Sequence, residues 1–339
     1  MTVTIFAYTR RGCAAALRIV PFFSGGRCRL FAPPRFDCEG FSPIEEPGEP
    51  FYGRLFNSSD TVIFVGSCGI AVRNIAKHVA DKFTDPAVLC VDELTRFVIP
   101  LLSGHIGGAN RIALGLAEHL GAVPVITTAT DINGRFSADR WAAEHGFVID
   151  DRLSARAISA AVLEDDVPLL SDLPVCGPLP CGVVYGSGGD IGIYIGYLKK
   201  SPFKTTLRLI PPVLHIGIGC RAGVSETTIA AVVDAALDSA GIDRRAVIRA
   251  ATVSLKSKEA GLIAYCAKCG WPLDFYPAEV LNALEGEFSA SPFVKETTGT
   301  DCVCERAAMM GADRLILKKT ALDGVTVAVA EKYTEVRLV

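Results

Sequence analysis

Residues 99–131, IPLLSGHIGGANRIALGLAEHLGAVPVITTATD, restrict what this chain can fold into more than any other stretch. Residues 97–102 and 123–127 are short and aliphatic or β-branched, the pattern of buried strands. Between them Ile112, Leu116 and Leu120, and Ala109, Ala113 and Ala117, keep helical spacing and predict one buried helical stripe. Strand, turn, helix and strand make a parallel crossover, and ligands of such units gather at the carboxyl ends of the strands. That edge would carry Ser103-Gly104-His105-Ile106-Gly107-Gly108-Ala109-Asn110 facing Thr127-Thr128-Ala129-Thr130-Asp131.

The same rhythm extends both ways. Strands are expected at 3–8, 28–31, 61–65 and 87–91, with helices at about 12–22 and 70–79 and a Pro/Gly/Glu-rich surface loop over 32–50. A helix at 137–145 follows the central unit. The pattern then weakens into one helix (153–163), a Pro/Gly-rich run (168–189) and two short strands, and Pro211-Pro212 reads as a linker. From 213 onward the alternation restarts, with strands at 213–218, 248–255, 273–276, 315–317 and 325–330 and helices at 225–240, 258–269 and 301–311. The expected fold is α/β throughout: a Rossmann-like N-terminal domain with a parallel or mixed sheet (1–140), a small irregular α/β middle region (141–212) and a second α/β domain (213–339).

Composition excludes several classes. A formal net charge of -3 leaves no basic excess for nucleic acid or an anionic membrane, and no uncharged apolar run is long enough to span a bilayer. The N-terminus shows no secretory h-region, so the 12 scattered cysteines read as reduced thiols of a cytoplasmic protein. Cys266-x-x-Cys269 and Cys302-x-Cys304 lack a histidine at finger spacing, and no metal site is expected.

Four turns carry the polar chemistry. Gly217-x-Gly219-x-x-Ala222 satisfies the dinucleotide fingerprint in form, but the acid that should end the second strand is absent. The turn still offers backbone N–H groups to any anion, with Cys220 in it and Arg221 as a forked cation beside it. Gly66-Ser67-Cys68-Gly69 repeats the arrangement with Arg73 one turn into its helix, and the two turns together predict a ligand with several carboxylates held at a carboxyl rim. His105 lies in a Gly turn at a helix start, where the helix field would keep it neutral and able to accept a proton; Asp131 and Thr128 could orient it. The alternative is a structural histidine bonded to backbone. Thr297-Thr298-Gly299-Thr300-Asp301, followed by Glu305, is either a grip for ligand oxygens or a helix start capped by Asp301.

FVGSCGIAVRNIA, the run from DPAVLCVDELTR to SADRWA, and HIGIGCRAGVSETTIAAVV resemble the CbiG family, the cobalt-precorrin-5A hydrolases of anaerobic cobalamin biosynthesis. The resemblance covers nearly the whole chain and is weakest in the middle region. It implies opening of the δ-lactone between the ring-A acetate and C20, with loss of C20 and its methyl group as acetaldehyde. It also implies a tetrapyrrole substrate that brings its own cobalt, no protein cofactor, and other corrin-pathway enzymes as partners. A macrocycle fringed with carboxylates suits Gly-turn amides and arginines. The expected substrate contacts are Gly66, Cys68, Gly69, Arg73, Ser103, Gly104, Gly107, Gly108, Asn110, Thr127, Thr128, Thr130, Gly217, Gly219, Cys220, Arg221, Thr298 and Gly299. His105 or Asp131 would take the proton from water, the N–H groups of Gly107 and Gly108 would receive the oxyanion, and Glu305 or Glu226 could serve in place of His105.

Overall fold

A computed structural model describes every residue except 37, 46, 47, 82 and 83. The strands β1 (Thr2–Ala7), β2 (Arg27–Ala32), β3 (Ser42–Pro43), β4 (Thr61–Val65), β5 (Ala87–Val91), β6 (Phe97–Leu102) and β7 (Val123–Pro124) form one sheet, ordered β3-β2-β1-β4-β5-β6-β7. The chain begins in the middle of this sheet and winds outward both ways, as doubly wound folds do. TVTIFA, TVIFV and AVLCV are buried along nearly their whole length, as interior parallel strands must be. Successive side chains alternate between faces. Ile5, Ile63 and Leu89 therefore meet α1 (Arg10–Ile19), while Phe6, Phe64 and Val88 meet α2 (Gly48–Asn57) and α3 (Cys68–Ile75). The helix α4 (Ala109–Leu120) joins the first face through Ala113, Leu116 and Ala117, as its spacing predicts. Two short helices follow, α5 (Ala129–Ile132) and α6 (Ala138–His145).

One connection changes the geography of the site. β5 and β6 pair antiparallel, joined by a tight turn in which Asp92 Oδ1 accepts from the amides of Arg96 (2.6 Å) and Phe97 (2.7 Å) and Thr95 takes a φ of 55°. β6 and β7 are parallel to each other, so the predicted crossover exists, but both run against β1, β4 and β5. The turn after β6 thus lies at the amino edge of β5, where Ser103 Oγ donates to Asp85 O (3.0 Å). The turn after β4 lies at the carboxyl edge, where Gly66 N donates to Val91 O (2.9 Å). The Gly66 turn and the His105 turn therefore lie at opposite edges of the sheet, with roughly 17 Å of strand between them. β7 is also shorter than expected, and Val123 is exposed.

Met1–Arg140 makes one compact unit and Trp141–Val339 another. In the second unit, β8 (Val148–Ile149), β9 (Val167–Ser171), β10 (Val183–Tyr185), β11 (Ile191–Ile195) and β12 (Thr205–Ile210) pair in the order β10-β9-β11-β12-β8, all parallel except β8. The helix α7 (Arg152–Glu164) packs against this sheet, its first turn capped by Asp151 on the amides of Leu153 and Ser154. The middle stretch is thus a regular small sheet.

Pro211-Pro212 leads directly into β13 (Leu214–Cys220), followed by α8 (Glu226–Ser239), β14 (Val247–Val253), α9 (Ala260–Cys269), β15 (Leu273–Tyr276), α10 (Ala278–Asn282), α11 (Pro292–Thr298), α12 (Val303–Met309), β16 (Arg314–Leu322) and β17 (Val325–Glu331). This third sheet is ordered β15-β14-β13-β17-β16, with β17 antiparallel to both neighbours. The two sheets of this unit are joined by buried Arg208, whose Nη2 donates to Asp243 (2.9 Å).

Candidate functional site

The turn after β6 is fixed by its own backbone. Ala109 N donates to Ser103 O, Asn110 N to Gly104 O and Gly108 N to His105 O, at 3.0–3.1 Å. Gly107 is packed so closely that a Cβ there would fall 2.4 Å from the Ser103 Cβ, and Gly104 leaves the space filled by the Asn110 carboxamide. The turn projects His105 between two carboxylates. Its Nε2 is 3.0 Å from Asp131 Oδ2 and its Nδ1 3.1 Å from Asp139 Oδ1. Ser137 Oγ lies 3.0 Å from Nδ1 and donates to Asp139 (2.7 Å), while Thr130 Oγ1 is 3.4 Å from Nε2. Asp131 is itself held by Arg140 Nη1 (2.6 Å) and by Asn110 Nδ2 (2.7 Å), which also donates to Thr128 Oγ1 (2.9 Å).

These partners act against the neutral imidazole expected from the helix field. Burial alone disfavours the imidazolium, but the hydrogen bonds and charges of Asp139 and Asp131 outweigh it and raise the His105 pKa. His105 stands three residues ahead of Gly108, which occupies the N-cap of α4, so the helix field acts on it less than its carboxylates do. The two expected oxyanion donors also change: the Gly108 amide is committed to the His105 carbonyl, and Gly107 is wedged against Ser103. Thr127 is exposed and outside the network. Ser137, Asp139 and Arg140 escaped sequence reasoning, although their hydroxyl-acid pattern opens a predicted helix six residues after Asp131, a spacing that could have flagged them.

The remaining candidates separate. Gly66, Cys68 and Gly69 turn into α3 at the opposite edge of the sheet, and exposed Arg73 folds back toward its own helix, with Nη1 3.5 Å from Gly69 O. Gly217 is buried within β13, and a Cβ on it would fall 1.8 Å from Cys304 O of α12. Both fingerprint glycines are thus inside a strand: Gly217 lets α12 pack close and faces no ligand, and Gly219 lies against Thr326 of β17. Glu305, offered as an acid, is buried at 1% exposure. It accepts from Ser289 N (2.6 Å), Ser289 Oγ (2.9 Å) and Lys319 N (2.7 Å). Burial alone would raise its pKa, but these donors hold it below the ordinary value, so it is a structural anion. The Thr-rich loop ends one helix and opens the next: Thr298 ends α11, Gly299 caps it at a φ of 78°, and Cys302, one residue past the expected Asp301, takes the N-cap of α12 while Asp301 grips Arg306 (2.7 Å).

Gly219, Cys220, Arg221 and Thr298 line a cavity of about 570 Å³, together with Lys256 and Lys319. Cys266 and Cys269 lie on α9, and the Cys302 and Cys304 sulfurs are 4.0 Å apart. Among the described residues, no three His, Cys, Asp or Glu side chains gather as a metal-binding group. No helix among them is long and apolar enough to cross a membrane.

Fold and sites define an α/β protein with a hydrogen-bonded His–carboxylate cluster in one unit and a cation-lined cavity in the other. The chain belongs to the cobalamin synthesis G family: the family's N-terminal model matches residues 51–131 and its C-terminus model residues 214–330. Among curated relatives, the cobalt-precorrin-5A hydrolase of Salmonella typhimurium is 31% identical over 96% of both chains. That of Priestia megaterium is 33% identical over 81% of this chain and 79% of its own. A protein of Methanocaldococcus jannaschii carrying the same activity name is 29% identical over 79% of this chain and 84% of its own.

Proposed function

We propose that this chain is a cobalt-precorrin-5A hydrolase of cobalamin biosynthesis, opening the substrate's δ-lactone with release of acetaldehyde. The observation that carries this is the end-to-end likeness to the Salmonella enzyme, in which nearly the full length of each chain is matched. The His105 cluster supports it chemically. Water attacks the lactone carbonyl, its oxygen enters the new carboxylate, and the departing ester oxygen must receive a proton. A carboxylate of the cluster, Asp131 or Asp139, suits the base that takes the proton of the attacking water, and His105, hydrogen-bonded to both, suits the acid that protonates the departing oxygen. The alcohol so formed at C20 then gives up its hydroxyl proton as the bond from C20 to the macrocycle breaks, so that C20 and its methyl group leave as acetaldehyde and the macrocycle keeps the electron pair and takes up a proton. Cobalt belongs to the substrate in this scheme, and no protein cofactor enters it. The partners are the tetrapyrrole and neighbouring enzymes of the corrin pathway, in the cytoplasm.

The test is anaerobic incubation of the purified chain with cobalt-precorrin-5A and assay of acetaldehyde. One acetaldehyde per substrate consumed is expected. Tight binding with the substrate recovered unchanged would make the chain a tetrapyrrole escort instead.

A further inference from the structure

The sequence spacing marks Gly219 to Arg221 as a grip for anions, but the cavity there has a character that the motif does not reveal. Gly219 lines it without a side chain, and a Cβ there would fall 2.5 Å from Thr326 Oγ1. On one wall, Lys319 falls where the pairing of β16 with β17 slips between Leu317 and Thr320, three residues against two. Such bulges re-aim side chains beside functional sites. The backbone at this point is anchored from below, because the Lys319 amide donates to buried Glu305. Arg221 is fixed at the mouth: its amide donates to Gly324 O (2.8 Å), and its stem crosses Gly324, where a Cβ would meet Arg221 Cδ at 2.9 Å.

The charges are unevenly matched. Lys256 pairs with Glu259 (3.0 Å), but neither Lys319 Nζ nor the Arg221 guanidinium makes an ion pair among the described residues, and Asp323 is the one acid among the lining residues. Beside these cations two large apolar side chains stand in solvent: Phe293 is 71% exposed and Leu322 53%. An exposed apolar rim next to unpaired cations is the complement of a ligand with a flat apolar body and acidic arms. The volume is within the range of small-molecule sites and is too small for a whole macrocycle, so an arm-bearing edge enters while the ring face lies on the rim.

We propose that this cavity is the tetrapyrrole-holding site of the chain, with Lys319 and Arg221 taking peripheral carboxylates and Phe293 and Leu322 receiving the ring. The assignment rests on the substrate class proposed above. It is tested by anaerobic spectrophotometric titration of the full chain with cobalt-precorrin-5A, alongside steady-state acetaldehyde release, for Lys319→Ala, Lys319→Arg and Phe293→Ala. Losing one charge-assisted contact weakens binding about tenfold or more. Lys319→Ala should therefore raise Kd and KM by that factor, with a smaller effect on kcat, and Lys319→Arg should recover most of the loss. Phe293→Ala should weaken binding severalfold. Neither side chain is in a core, so thermal unfolding should stay at the wild-type temperature. Acetaldehyde release with Kd and KM unchanged in both alanine variants would overturn the cavity assignment and leave the hydrolase reading standing. Lysine-dependent binding without acetaldehyde would sustain the cavity and overturn the hydrolase.

Discussion

A histidine with a carboxylate on each ring nitrogen gives up its proton less readily than one in water, and that difference is also a stability term. Because the folded pKa of His105 lies above the ordinary value of about 6.5, its contribution is fully present below that pH and is lost as the pH rises through the folded value. Urea unfolding of wild type and His105→Gln between pH 5.5 and 9 should show a wild-type advantage that shrinks as pH rises. An advantage that grows with pH would contradict the imidazolium. Glu305 behaves oppositely. Its pKa is depressed, so its contribution is present above about pH 4.3 and is lost on acidification. Glu305→Gln turns an amide donor toward groups that already donate, and should cost about 2–3 kcal/mol at pH 7, less below pH 4. A stable variant with a displaced pH–rate limb would instead return Glu305 to the chemistry. At this scale, His105 and Asp131 were legible because a polar cluster in a Gly turn stands out. Asp139 was hidden because an acid at a helix start looks like any other first-turn carboxylate.

At the scale of elements, periodicity revealed α4, α8 and the buried strands, since burial on one face or on both leaves a pattern in the chain. Strand direction left none. The β5–β6 hairpin has no Asn-Gly or Asp-Gly signal; it is built by Asp92 capping two amides and by Thr95 at positive φ, and it alone moves His105 to the far edge of the sheet. The middle sheet was equally obscure, because two of its strands are only two and three residues long. Gly217 shows the same limit from the other side: its motif resembled a phosphate turn, while its place in β13 serves packing. Gly217→Ala should cost about 3 kcal/mol or more, as α12 is driven off the strand. Gly188→Ala, with open space around its Cβ position, should fall within about 0.5 kcal/mol of wild type. Equal melting temperatures for the two variants would refute the packing role.

For the whole molecule, the proposed reading divides the work between the compact units, proton transfer in the first and ligand holding in the second. Family membership was legible because the run from SGHxGGAN to TTATD is long and specific and GIGCR is a second, independent match, whereas the division of labour depends on which side chains meet in space. Kinetics can resolve that division. The most direct measurement is acetaldehyde release from cobalt-precorrin-5A by His105→Gln, with kcat and KM determined separately. The account predicts kcat lower by roughly a hundred- to ten-thousand-fold with KM near the wild-type value. Wild-type kcat in the folded variant would contradict it.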